Sequence, residues 1–208
     1  MDSSIGRTCD SWVWRPLLTL LVAGRPVTVD DLAAATVRSV EEVADELDRL
    51  GDTEYNRAGM IVGHGITLIP TPHRVEIDGN QLFTWCAWDT LFFPVLLGRR
   101  AQVVSPCKVT GTPIRLTVQP DRITTLEPAT AMMSLVAPDN PTSLRASFCS
   151  RIHFFVTHEL AAGWLVENPD ATILPVVNAF LLGQAMFGGV DSAKAPNSIG
   201  PVRGKPMS

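Results

Sequence analysis

The chain has 208 residues, with 17 Lys+Arg against 21 Asp+Glu, a formal net charge of −4, 46% apolar residues and only 18% charged ones. That length can bury a sizeable core in one domain or two small ones, and the composition excludes whole-chain disorder and a collagen-like fibre. Residues 1–80 carry 7 Arg against 13 Asp/Glu, net −6, and residues 81–208 carry 10 Lys/Arg against 8 Asp/Glu, net +2, so neither part has the basic field of a nucleic-acid binder.

The first apolar run, Leu17 to Ala23, is far shorter than the roughly 20 residues of a membrane span, and so is Leu91 to Leu97, broken by Pro94. A signal peptide needs a basic flank, but the start reads Asp2, Arg7, Asp10, Arg15, and the run continues into Gly24-Arg25-Pro26. The chain is therefore read as cytoplasmic and not membrane-bound, with a first helix from about Trp12 to Ala23. A second helix follows Thr28, with Asp30 and Asp31 in its first turn and Leu32 and Ala35 facing the core. Ser39-Val40-Glu41-Glu42 is a capping box for a third, whose apolar face is Val40, Val43, Leu47 and Leu50.

Two alternating stretches, Thr53–Tyr55 and Met60–Leu68, join through the turn-forming Asn56-Arg57-Ala58-Gly59. Three helices and a two-stranded wing make a winged-helix-like pattern. The third helix would occupy the recognition position, but it carries Glu41, Glu42, Asp45, Glu46 and Asp48 against Arg49 and would meet phosphates with like charge. The module is read as structural or substrate-covering, without a nucleic-acid partner.

Pro70-Thr71-Pro72 marks a linker. Beyond it a hairpin is predicted from Arg74–Ile77 and Gln81–Thr84 around Asp78-Gly79-Asn80, then strands at Ala101–Val104 and Ile114–Val118 about Thr110-Gly111. Met132–Val136 and the long aromatic Ser147–Val156 read as further strands. Helices are predicted over Cys86–Leu97, Glu159–Val166 and Val176–Phe187, and the tail from Gly188 has no apolar periodicity and reads as mobile.

The four cysteines, Cys9, Cys86, Cys107 and Cys149, lie 77, 21 and 42 positions apart, with no C-x-x-C pair, which fits free thiols in a reducing compartment. Trp85-Cys86-Ala87-Trp88-Asp89-Thr90-Leu91-Phe92-Phe93-Pro94 starts a helix after a strand. Cys86 near that N-terminus would be favoured as a thiolate, with Asp89 on the same helical face. A core thiol and a solvated first-turn carboxylate account for the same residues. In Ser147-Phe148-Cys149-Ser150-Arg151-Ile152-His153, a strand would turn Cys149 and His153 to one face, a C-x-x-x-H spacing able to contribute to a zinc site. A buried, hydrogen-bonded His153 is the other reading.

The segments Thr53-Glu54-Tyr55, Gly63-His64-Gly65-Ile66-Thr67-Leu68, Trp85 to Leu91, Cys107-Lys108-Val109-Thr110-Gly111 and Ser147-Phe148-Cys149 with His153-Phe154-Phe155 together resemble the organomercurial (alkylmercury) lyase family, from residue 12 to about 187. The resemblance implies protonolysis of a carbon–mercury bond to a hydrocarbon and Hg(II), with Cys86, Cys149 and Asp89 as the catalytic trio and the mercury-binding groups. It implies no organic cofactor, low-molecular-weight thiols as acceptors, and mercuric reductase as a further acceptor of Hg(II). Mercury, a soft ion, prefers thiolates, and a carboxyl with raised pKa suits the proton transfer. The family's structural Cys matches Cys107, Ser150 stands where some members have a second adjacent Cys, Cys9 lies outside the matched segments, and Tyr55 and His64 match without a derivable role. The expected architecture is α+β, with a winged-helix-like domain over residues 1–79 and a β-rich mixed catalytic domain over residues 80–208. A thiol metal-binding module without turnover, and a winged-helix regulator, are the alternatives from other classes.

Overall fold

The computed structural model describes residues 10–137 and 143–187. Three helices open it: α1 Trp14–Leu21, α2 Val29–Thr36 and α3 Val40–Leu50. The starts of α2 and α3 follow from end chemistry. Thr28 Oγ1 accepts from the Asp31 N–H at 3.0 Å while Asp31 Oδ2 accepts from the Thr28 N–H at 3.1 Å, and Ser39 and Glu42 repeat the exchange at 3.1 and 2.9 Å. Each pair satisfies two donors that the helix itself leaves orphaned. Helix α2 buries Leu32 and Ala33, and Ala35, expected in the core, is exposed. The two-turn helix presents only a narrow contact stripe, and Ala35 falls outside it.

An eight-stranded antiparallel sheet follows: β1 Glu54–Tyr55, β2 Ile61–His64, β3 Ile66–Thr67, β4 His73–Ile77, β5 Asn80–Thr84, β6 Ala101–Pro106, β7 Pro113–Val118 and β8 Ile123–Glu127. Its spatial order is β1-β2-β3-β5-β4-β6-β7-β8. The predicted strand Met60–Leu68 is broken into β2 and β3 at Gly65, whose φ of +85° a side chain would resist and where a Cβ would overlap the Phe93 ring. The β4–β5 hairpin turns at Asp78-Gly79, so the sheet runs on across position 79/80. Three further strands, β9 Met132–Leu135, β10 Phe154–Phe155 and β11 Thr172–Pro175, form a second sheet in the order β10-β9-β11. It is joined to the first by a parallel bridge between Cys107 and Phe154.

Four more helices complete the fold: α4 Asp89–Leu97, α5 Leu144–Ser147, α6 His158–Leu165 and α7 Val176–Phe187. Helix α4 is the hub. Asp89 to Pro94 and Leu96 are all buried, and α1, α7 and the sheet pack around it. A helix apolar on every side belongs inside a core. No helix among the described residues is long and apolar enough to cross a membrane.

The sequence pattern missed β8 and β11. Strand β8 is a sheet edge that turns mostly outward, and β11 borders the small sheet and ends in Pro175, so neither shows buried alternation. The long strand expected over Ser147–Val156 is corrected: Leu144–Ser147 is helical, Cys149–Arg151 is a 3₁₀ turn, and only Phe154–Phe155 is a strand. Ser147 Oγ donates to the Ser143 carbonyl at 2.6 Å and Ser150 Oγ to the Ala146 carbonyl at 2.7 Å, bonds that fold the chain back one turn. The tail from Gly188 and Cys9 lie outside the described residues.

Candidate active site

The turn between β5 and α4 is pinned at every residue. Thr84 Oγ1 donates to the Cys86 carbonyl at 2.9 Å, Trp85 N–H to the Gly65 carbonyl at 3.0 Å, and Thr90 Oγ1 to the Ala87 carbonyl at 2.6 Å. Asp89 Oδ2 accepts from the Cys86 N–H at 3.1 Å, so the carboxylate closes the helix start back over the cysteine. The helix begins at Asp89, and Cys86 therefore precedes it rather than occupying its first turn. Trp88 Nε1 donates to the Ala179 carbonyl at 3.0 Å and ties the turn to α7.

Cys149 reaches the same place from the other side of the chain. It opens the 3₁₀ turn, and its neighbour Phe148 packs on Trp88 with ring centroids 5.8 Å apart. The far end of the turn is held by Ser134 Oγ donating to the Arg151 carbonyl at 2.9 Å and by Arg151 paired to both oxygens of Asp170 at 2.6 Å. The Ala87 N–H, beside Cys86, donates to the Ile152 carbonyl at 3.4 Å and joins the two segments directly.

The result is a compact cluster. The sulfurs of Cys86 and Cys149 and a carboxylate oxygen of Asp89 lie within 4.8 Å of one another, and this is the one such group of His, Cys, Asp and Glu ligands among the described residues. All three side chains are buried, and all three cysteines described are free thiols. The sequence could not show that Cys86 and Cys149 meet, because 63 positions separate them.

The surroundings tune each group. Burial pushes the Asp89 carboxyl up to about 7, against hydrogen bonds from Cys86 that pull it down. Burial also pushes the Cys86 thiol well above its ordinary range, helped by its hydrogen bond to Cys149 and by the Asp89 charge. The helix-dipole expectation for Cys86 is thus corrected: desolvation outweighs it. For Cys149 the hydrogen bond from Cys86 pulls the thiol down, and burial with the charges of Asp89 and Asp52 outweighs it. The two thiols contact one another, and burial keeps both of them above their ordinary range.

The remaining candidates lie elsewhere. His153 does not join Cys149 on a strand face; its ring meets the edge of Trp164 at 5.7 Å, and its imidazole is held to about 4 chiefly by burial. Cys107 is buried where the two sheets meet, with its N–H donating to the Thr112 carbonyl at 2.8 Å. His64 is buried 5.2 Å from the Trp85 ring, while Tyr55 is exposed. Of Trp85, Trp88, Phe92, Phe93, Phe154 and Phe155, all but the half-buried Trp85 are core. Sequence reasoning passed over Asp52, Glu54 and Arg145, which meet beside the site although about 90 positions separate the wing from Arg145. Only the segment Thr53-Glu54-Tyr55 gave any signal.

A thiol pair suits a soft metal centre, and a carboxyl titrating near neutrality can carry a proton. Similarity to known proteins agrees. Residues 66–188 match the family model of alkylmercury lyase, and residues 3–65 match the helix-turn-helix domain of alkylmercury lyase. The chain is 55% identical to the alkylmercury lyase of Streptomyces lividans over 89% of its own length and 86% of the relative's. It is 50% identical to that of Staphylococcus epidermidis over 83% and 80%. A solved structure described as the mercury-bound form of MerB2 superposes with a TM-score of 0.72 at 26% identity, covering 83% of this chain and 88% of the other. With both of its parts matched and half of its residues shared with relatives along most of their length, the chain belongs to the alkylmercury lyase family.

Proposed function

We propose that Cys86, Cys149 and Asp89 carry out the protonolysis by which this lyase cleaves the carbon–mercury bond of alkyl- and arylmercury compounds. The observation that carries the reading is the meeting of two thiols and one carboxyl within 4.8 Å in a buried site. One thiol of the pair attacks mercury as a thiolate and displaces its exchangeable ligand, its proton leaving to solvent. The other thiol passes its proton to the Asp89 carboxylate, which the Cys86 side chain already contacts, and its sulfur becomes the second mercury ligand. Two thiolates on one soft ion raise electron density on the bound carbon. Asp89 delivers the proton there; the carbon–mercury electron pair becomes the new C–H bond, and mercury stays Hg(II), held by the two sulfurs.

A carboxyl poised near 7 is both a competent base toward a thiol and an acid toward the leaving carbon. The chemistry calls for no organic cofactor. Small thiols regenerate the enzyme by removing Hg(II), with a mercuric reductase as a further acceptor. The five acidic residues on α3 argue against a nucleic-acid partner for the helix-turn-helix part.

The test is headspace detection of benzene from phenylmercuric acetate with excess thiol, run beside Cys86→Ser, Cys149→Ser and Asp89→Asn. Release is expected from the wild type and lost in all three variants. Undiminished turnover in Asp89→Asn would remove the carboxyl from the mechanism.

A further inference from the structure

We propose that Asp52, in the connection that leads into the wing of the helix-turn-helix part, and Glu54, on the wing itself, are positioning residues that hold the Cys149 segment at working distance from Cys86. The proposal rests on the reading of Cys86 and Cys149 as the mercury-binding pair.

A single carboxylate links the two thiol-bearing segments. Glu54 Oε2 accepts from Trp85 Nε1–H at 3.1 Å, and Oε1 is paired with the Arg145 guanidinium, which also lies over the Trp85 ring with 5.3 Å to its centroid. Trp85 directly precedes Cys86, and Arg145 lies four residues, about one helical turn, before Cys149. The Glu54 side chain is only 9% exposed while Arg145 is 44% exposed, so the carboxylate is sheltered and the ion pair keeps one face to water.

Asp52 grips the same segment through its backbone. Its Oδ1 accepts from Ser143 Oγ at 2.8 Å and its Oδ2 from the Arg145 N–H at 3.3 Å, a cap supplied from 93 positions away. Asp52 holds a φ of +52°, a conformation that non-glycine residues rarely adopt and that Asp tolerates better than most.

The backbone makes room for the contact. Gly63 stands opposite Glu54 in the β1–β2 pair, and a Cβ there would overlap the Glu54 carboxylate and the Thr67 side chain. The Cys149 segment also needs outside support: a four-residue helix and a three-residue 3₁₀ turn are too short to persist on their own. Ser134 and Asp170 anchor the end beyond Cys149, and the end before it is anchored by Asp52 and Glu54. The wing thus performs a task inside the lyase site.

The experiment compares Glu54→Gln, Arg145→Gln and the double variant with the wild type and Cys149→Ser. Single-turnover benzene release from phenylmercuric acetate is measured first, then the number of protein sulfurs on the product Hg(II) by X-ray absorption. Glu54→Gln keeps an acceptor for Trp85 and loses the ion pair. It is expected to capture phenylmercury but to release benzene about 10- to 100-fold more slowly, the scale of a misplaced reacting group, with one protein sulfur on mercury in place of two. The double variant is expected to lose no more than either single one, because the same pair is broken. Arg145, 44% exposed, carries the test alone if Glu54→Gln does not fold. Wild-type release and two protein sulfurs in Glu54→Gln and Arg145→Gln would overturn the proposal while leaving the trio intact. Wild-type release in Cys149→Ser would overturn the reading beneath it.

Discussion

The two thiols are held in opposite ways. Cys86 sits in a turn whose bonds to Thr84, Asp89 and Thr90 span only two or three residues and whose strand and helix lie in the main core. Cys149 sits in a short helical run whose polar anchors, Asp52, Glu54, Ser134 and Asp170, all come from elsewhere in the chain. Local bonds predominate around Cys86, beside the longer ties of Trp85 to Gly65 and Trp88 to Ala179, whereas the Cys149 segment, with only short Ser147 and Ser150 bonds of its own, leans on long-range polar contacts. Substitutions near Cys86 should therefore cost stability, whereas those near Cys149 should cost turnover before stability.

The largest test of that contrast is Trp88→Ala. Trp88 is 3% exposed, packs on Phe92 and Phe148 and donates to the Ala179 carbonyl, so its loss is expected to cost about 3–5 kcal/mol. Denaturant unfolding should show a lower midpoint with an unchanged slope. A loss near that of a surface substitution would break the contrast.

A second test uses pH. The native state holds the Asp89 proton up to about 7, and the unfolded chain releases it near 3.8. The folded state therefore binds the proton more tightly, and this group takes away stability progressively as pH rises from about 4 to about 7. The total is at most about 4 kcal/mol, constant above that window. His64, His73 and His153, all lowered to about 4 chiefly by burial, act in the opposite direction, costing stability as pH falls below 6.5. The Asp89 contribution is isolated by the difference between Asp89→Asn and wild type, which should grow in favour of the variant from pH 4 to pH 7. A flat difference would mean that Asp89 is ionised throughout.

On the Cys149 side, Gly63→Ala is expected to displace the Glu54 carboxylate and slow benzene release as Glu54→Gln does, with a smaller loss of stability than Trp88→Ala. The smallest expected effect is Ser39→Ala, which removes the cap of α3 for about 1 kcal/mol and leaves turnover unchanged. Reduced turnover there would show that α3 bears on the site.

Local signals in the sequence were read correctly where the structure is itself local. Thr28 and Ser39 start their helices through bonds three residues long, and Asp78-Gly79 turns its hairpin. The nearness of Asp89 to Cys86 was legible for the same reason, since Asp89 is three residues on. The Ser147–Val156 segment was misread because aromatic and β-branched residues favour strands in general, while the hydroxyls of Ser147 and Ser150 decided otherwise here. Strand β8 escaped notice because an edge strand facing outward has no alternation to read.

The sequence by itself determined the α+β class, the first three helices and most strands, and it put forward two cysteines and an aspartate as candidates, because capping, turn chemistry, hydrophobic period and family motifs all act over short stretches of chain. Tertiary structure alone decided that those three groups share one buried cluster, that burial sets the Asp89 carboxyl near 7, and that Glu54 reaches Arg145 and Trp85 at once. Desolvation and charge pairing depend on which distant residues are brought together, and no pattern along the chain encodes that distance.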